Sequence, residues 1–330
     1  MQKIKADQLQ KKAIALLEEG KVARVLGWRR GEFFYDLTPS VFRDADDIRN
    51  NFEFNSFSGA NFSKYLVAQT RKDEGKILVF LKPCDTYSFN QLLTEHRFDR
   101  EKVYVVGIPC EGMADMNKIR AKVGDGITAA EEKGDKLLVS TLYADKPVEL
   151  SYDEFISERC LNCKSRKHVV YDELIGDDGE VLDSNRFDEV AKLEAMTEDE
   201  RFAFWQNELS RCIRCNACRD VCPACTCENC VFDNPNSIVE NKAPANSFEE
   251  KMFHIIRAFH VAGRCTDCGE CSRVCPQHIP LHLLNRKFIK DINSFYGSYQ
   301  AGAEVGSRAP LVNYTKGDIE PCDVFAKEEK

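Results

Sequence analysis

Apolar residues recur at Ile4, Leu9, Ala13, Leu16 and Leu17 among lysines, glutamines and glutamates. That spacing predicts an amphipathic helix over residues 3–19, stopped by Gly20. Apolar-rich runs at 22–28 and 32–37, joined by 29–31, predict a hairpin, and a further helix is expected over 61–72. Residues 77–81 read Ile-Leu-Val-Phe-Leu, the unbroken apolar pattern of a strand buried on both faces. After a helix over 86–95 comes a second strand of the same kind, over 103–108. Strand, helix and strand at this spacing predict parallel neighbours. Lys82-Pro83-Cys84-Asp85 follows the first strand and Pro109-Cys110-Glu111-Gly112 the second. Both Pro-Cys pairs therefore fall past the carboxyl ends of parallel strands, where open α/β sheets place their ligands.

Farther along, 127–131 and 137–142, around Lys133-Gly134-Asp135, predict a second hairpin, and a helix over 151–158 leads to Cys160 and Cys163. Residues 176–185, acidic and glycine-rich, read as a linker or surface loop. Thr197 and Glu200 form a capping box before a helix with Phe202, Trp205, Leu209 and Ile213 on one face. Ser247 and Glu250 repeat the device ahead of Phe248, Met252, Ile255, Ile256 and Phe259, a stripe expected to be core, with Gly263 as its stop. A last helix is expected over 281–292, and 294–330 is an extended tail that either wraps a partner or folds back over the body.

Between these helices one cysteine pattern is written twice. Cys212, Cys215, Cys218 and Cys222-Pro223 form one copy; Cys265, Cys268, Cys271 and Cys275-Pro276 form the other. Each is the C-x2-C-x2-C-x3-C-P run that ligates [4Fe-4S] clusters, with the fourth cysteine serving the other cluster. The crossed rule assigns Cys212, Cys215, Cys218 and Cys275 to one cluster and Cys265, Cys268, Cys271 and Cys222 to the other. Zinc is the alternative, but it closes at four ligands and favours two separated pairs. The expected architecture is an α/β N-terminal domain with parallel strands over 1–190 and a mainly α-helical dicluster ferredoxin domain over 191–293. The tail over 294–330 completes the chain.

Composition narrows the rest. The chain has 330 residues, 16 cysteines and a formal net charge of -8. The acidic balance argues against a nucleic-acid partner. No apolar run is long enough to span a bilayer, and the first 20 residues lack the apolar core of a signal peptide, so a cytoplasmic protein is expected. Sixteen thiols then read as metal ligands rather than a disulfide framework. Cys84, Cys110, Cys160 and Cys163 suffice for a third cubane, with a redox or zinc pair at Cys160 and Cys163 as the alternatives. Cys225, Cys227 and Cys230, with Cys322, make a candidate fourth metal centre, cluster or zinc. Arg211, Arg214, Arg219, Arg264 and Arg273 punctuate the cluster loops, either raising cluster potentials or serving as surface charges. His254 and His260 are read as structural.

Three stretches carry a resemblance: Lys82-Pro83-Cys84-Asp85, residues 107–112, and the Cys160/Cys163 pair followed by Asp172-Glu-Leu-Ile-Gly176-Asp177. With them the chain resembles the iron-sulfur beta subunits of deazaflavin (coenzyme F-420) hydrogenases and dehydrogenases, fused to a dicluster ferredoxin domain. The first stretch is also similar to beta subunits of sulfhydrogenases and the A subunit of anaerobic sulfite reductases. The resemblance implies a [4Fe-4S] cluster and, in several members, FAD passing electrons to a deazaflavin or nicotinamide. The chain has no Gly-x-Gly-x-x-Gly fingerprint, so what carries over is electron relay, with FAD optional. The expectation is an electron-transfer subunit of a multi-subunit oxidoreductase of hydrogenase, formate dehydrogenase or heterodisulfide-reductase type. Its partners would be other subunits bearing a flavin or metal site. The alternatives are a flavin-containing subunit reducing a deazaflavin or nicotinamide, and a non-catalytic iron-sulfur scaffold or redox sensor.

Overall fold

The structure, a computed structural model, describes residues 4–72, 74–182, 185–234 and 248–312. Its core is a five-stranded sheet of β1 (Arg24–Arg30), β2 (Leu37–Phe42), β3 (Ile77–Leu81), β4 (Val103–Gly107) and, after three strands elsewhere, β8 (Glu173–Leu174), in the order β2-β1-β3-β4-β8. β1 and β2 are antiparallel and the other pairs parallel. Central β3 is buried along its whole length, as its unbroken apolar sequence requires. It pairs with β4 from Ile77↔Val103 to Leu81↔Gly107, so the two strands end side by side. A separate antiparallel sheet holds β5 (Ile127–Lys133), β6 (Lys136–Thr141) and β7 (Val148–Leu150).

Helices α1 (Ala6–Glu18), α2 (Ala45–Asn51), α3 (Ser63–Gln69) and α4 (Pro83–Thr94) surround the larger sheet. Leu9, Ala13 and Leu16 of α1 and Phe89 of α4 join its core. α4 begins at Pro83, with proline where an orphan N–H would otherwise stand, so Cys84 lies in the first turn of a helix. α5 (Met116–Val123), α6 (Tyr152–Phe155) and α7 (Glu158–Leu161) follow; the helix expected over 151–158 is in fact two short ones. The second strand of the first hairpin begins later than expected. Phe33, Phe34 and Tyr35 occupy a turn closed by Asp36 N–H to Phe33 O at 2.9 Å. Their rings pack on each other and on Phe57. β2 is an edge strand, which is why Pro39 is tolerated opposite Trp28.

The second half comprises α8 (Asp188–Glu194), α9 (Glu198–Ser210), α10 (Ala217–Asp220), α11 (Phe248–His260), α12 (Glu270–Arg273) and α13 (Leu281–Tyr296). The Thr197–Glu200 capping box is present, whereas Ser247, with its proposed cap, lies outside the described residues. In α11 the expected core stripe is displaced: Met252, Ile255 and Ile256 are half-buried and Phe259 is exposed. Phe253, His254, Arg257 and Ala258 are the buried face instead. The loop over 176–182 is no free linker, because Arg166 N–H donates to Glu180 O at 2.8 Å and Val181 bridges Ser165. The described part of the tail folds back, with Ala301 and Ala309 buried and Gly306 N–H donating to Thr94 Oγ1 at 2.9 Å. No helix among the described residues is long and apolar enough to cross a membrane.

Candidate iron-sulfur centres

The sequence repeat folds as a structural repeat. In each copy the second residue after the first cysteine is left-handed, Arg214 at φ 53° and Asp267 at φ 60°. The residue after the second cysteine is left-handed too, Asn216 at 62° and Gly269 at 67°. Asparagine and glycine are the residues that enter this region most readily. One helical turn follows in each copy, α10 or α12, and the proline-linked cysteine closes it through N–H bonds of 3.2 Å, Cys222 to Arg219 O and Cys275 to Ser272 O. Three residues later the match holds again: Cys225 N–H to Cys222 O and His278 N–H to Cys275 O are both 3.0 Å.

The loops present the cysteines in crossed sets. Cys212, Cys215, Cys218 and Cys275 line one small enclosed space with His254, and Cys218 feels the charges of the other three thiols. Cys222 faces Cys265, Cys268 and Cys271 and adds to the rise in pKa of each. Burial is the main cause: it pushes the Cys271 thiol up to about 12 and Cys218 up to about 11. Several sulfurs face the backbone N–H two residues on, namely Arg214 for Cys212 at 3.3 Å, Asp267 for Cys265 and Glu270 for Cys268. Asn285 Nδ2 lies 3.6 Å from Cys271 Sγ.

The third cysteine set converges at the ends of β3 and β4. Cys84 acts electrostatically on Cys110 and Cys163, and Cys110 on Cys160 and Cys163. Burial raises the Cys110 thiol to about 12, Cys160 adds to that rise, and the Gly112 N–H opposes it. Gly112 has φ +109°, and a Cβ there would stand 2.7 Å from Tyr152 Oη. Lys82 is buried beside these thiols, paired with Asp85 at 2.8 Å and donating to Ala60 O at 2.8 Å. His168 locks the two strand ends together: its Nε2 lies 3.2 Å from Leu81 O and 3.1 Å from Ile108 O, while Asp178 holds Nδ1 at 2.6 Å.

Thiols whose ionisation is opposed by burial and by neighbouring thiols, as at Cys84, Cys110, Cys163, Cys218, Cys265, Cys268 and Cys271, are a donor set in want of positive charge, which iron supplies. Among the described residues no three His, Cys, Asp or Glu side chains are close enough to hold a single metal ion. A cubane asks for a wider spread, since each thiolate binds its own iron, whereas one zinc draws its sulfurs to about 2.3 Å from a common point.

The second cluster loop is also the seam between the two halves. Arg159 donates to Cys268 O at 2.7 Å, Gly59 O at 3.0 Å and Glu270 Oε1 at 2.6 Å. Gly269 permits this approach, as a Cβ there would meet Arg159 Cδ at 2.6 Å. Arg286 Nε binds Asp267 at 2.8 Å, Ser88 Oγ meets Thr266 Oγ1 at 2.8 Å, and Lys164 bonds Thr266 O. Cys225, Cys227 and Cys230 line a cavity of about 540 Å³ with Lys64, Arg219, Arg257 and Arg264. Cys322 lies outside the described residues. Of the arginines singled out from sequence, Arg211, Arg219, Arg264 and Arg273 pair with Glu208, Asp233, Glu95 and Glu270, and Arg214 lies over Phe253 at 3.6 Å. Half-buried Arg159 and buried Arg257 and Arg286 escaped that reading, although the offset apolar face at Phe253, Ala258 and Val261 was its signal for Arg257.

A 4Fe-4S dicluster domain model matches residues 208–279. The chain is 23% identical to the F420-dependent formate dehydrogenase subunit beta of Methanocaldococcus jannaschii, over 90% of this chain and 92% of that one. It is 25% identical to the F420-dependent formate dehydrogenase 1 subunit beta of Methanococcus maripaludis, over 75% and 78%. Among solved structures it matches the F420-reducing [NiFe] hydrogenase complex of Methanosarcina barkeri at 15% identity and a TM-score of 0.36, covering 63% of this chain and 90% of that one.

Proposed function

We propose that this chain, a relative of F420-dependent formate dehydrogenase beta subunits that carries a 4Fe-4S dicluster domain, relays single electrons inside a larger cytoplasmic oxidoreductase. The observation that carries this reading is the serial adjacency of three cysteine sets. Cys218 and Cys222 both lie beside Arg257, linking the first set to the second, and Arg159 lies beside Cys268, Cys160 and Cys84, linking the second to the third. In this reading the N-terminal unit over 1–190 holds one cubane through Cys84, Cys110, Cys160 and Cys163. The helical unit over 191–293 holds two, and the middle one sits on the seam. When bound, each cluster accepts or gives one electron with little rearrangement. The chain's own residues supply N–H donors and burial around each set, which set the order of potentials. The curated relatives' names point to formate oxidation as the source of electrons and to a place beside other subunits of a larger complex.

Iron and acid-labile sulfide in anaerobically purified protein test the reading. About twelve of each per chain are expected; about eight would remove the N-terminal centre, and about sixteen would add a fourth at Cys225, Cys227 and Cys230. Reversible reduction by dithionite separates a relay from a purely structural scaffold. A flavin-containing subunit is the second reading. It is favoured by a cavity of about 480 Å³ between the halves, lined by Tyr35, Phe57, Arg159, Arg273 and His282. FAD copurifying with the chain would support it.

A further inference from the structure

Among the described residues, the arginines whose side chains are 8% exposed or less have carboxylate partners, with one exception. Arg24 pairs with Glu74, Arg159 with Glu270 at 2.6 Å and Arg286 with Asp267 at 2.8 Å. Arg257 on α11 is 1% exposed, and its Nε, Nη1 and Nη2 have no hydrogen-bond partner among the described residues. A guanidinium stripped of water and left unbonded is a costly thing to keep in a core, so the site has an anion still to be supplied. Its surroundings name that anion. The groups around it are Cys218 of one crossed set, Cys271 and Cys222 of the other, and Cys225. One turn earlier on α11, buried His254 likewise has both ring nitrogens unpartnered and lines the space shared with Cys212, Cys215, Cys218 and Cys275. Arg257 is the buried cation of this helix face.

We propose that Arg257 is a cation shared by the two dicluster centres, its guanidinium N–H groups directed at their sulfurs, and that it sets both potentials together. The proposal rests on the iron-sulfur reading of residues 208–279 and deepens it. A cluster gains negative charge on reduction, so a neighbouring cation favours the reduced form and raises the potential. Because the guanidinium borders thiols of both sets, its removal moves both couples. Arginines paired with carboxylates, such as Arg264, have their charge already offset.

The test is an EPR-monitored redox titration of the anaerobically purified full chain, with iron and sulfide counted in every sample. Arg257→Met is expected to keep its iron. It should shift both dicluster couples negative by at least a tenfold change in the reduced-to-oxidised ratio at fixed poise, 59 mV for a one-electron couple. Arg257→Lys, which keeps the charge and loses the fork, is expected to shift less. Unmoved potentials in an iron-replete Met variant, or movement of only one couple, would overturn the proposal. If the Met variant loses iron, Arg257→Gln is titrated under the same criterion. If neither neutral variant assembles clusters, Lys decides: assembly supports a charge role, and failure there overturns it. Wild-type protein lacking iron would sink the cluster reading itself, a result distinct from any of these.

Discussion

Glu270 is where the two halves of the molecule are most tightly joined, and removing its charge makes a quantitative prediction. The carboxylate is fully buried and receives Arg159 Nη1 at 2.6 Å, Arg273 Nε at 2.7 Å, Arg273 Nη2 at 2.8 Å and the Asn61 backbone N–H at 3.1 Å. Burial works against its ionisation, yet Arg273 and Arg159 hold its pKa at about 2 instead of 4.5. At 1.36 kcal/mol per tenfold change, that drop corresponds to about 3 kcal/mol of native-state stability. Breaking a buried ion pair by removing one partner gives a similar figure, about 3–5 kcal/mol. Glu270→Gln, nearly isosteric, leaves two guanidinium groups facing a neutral amide, and we expect it to destabilise the fold by about 3 kcal/mol. Anaerobic urea unfolding, followed by circular dichroism and by visible cluster absorbance, measures this.

The pH dependence has a definite sign, because a depressed carboxyl stabilises above its unfolded pKa. The gap between wild type and variant is therefore full above about pH 4.5 and closes as pH falls toward 2. In a double-mutant cycle with Arg273→Met the two losses fall short of additive by about 0.5–3 kcal/mol. A Glu270→Gln loss below about 1 kcal/mol, or strict additivity with Arg273→Met, would refute the reasoning.

Two further perturbations follow from the same geometry. Lys82→Met strands Asp85, whose side chain is 2% exposed, so it should cost about 3–5 kcal/mol and Asp85→Asn should restore part of the loss, read in the same unfolding assay. Gly302→Ala puts a Cβ 1.9 Å from the Tyr87 carbonyl oxygen at φ +74°, which should cost about 1–3 kcal/mol and release the returning tail; faster proteolysis beyond α13 in the variant is the expected readout.

Local pattern alone determined much of this protein. The unbroken apolar run at 77–81 has one stable environment, between covered faces, and it became the central strand. The doubled cysteine spacing, with Asn216 and Gly269 at matching positions, carries its own backbone conformation, because so few residue types accept left-handed φ. Tertiary structure decided what depends on neighbours far away in sequence. Phe33, Phe34 and Tyr35 have the composition of a strand, yet they form a turn in which Phe34 and Tyr35 meet Phe57 and Phe33 stacks on Tyr35. Two apolar faces compete on α11, and the one holding Phe253 and Ala258 is buried, taking His254 and Arg257 in with it. Cys84, Cys110, Cys160 and Cys163 come together only because parallel pairing ends β3 and β4 side by side and α7 returns to the same edge. Spacing fixes ligands within a loop; only packing determines which loops meet.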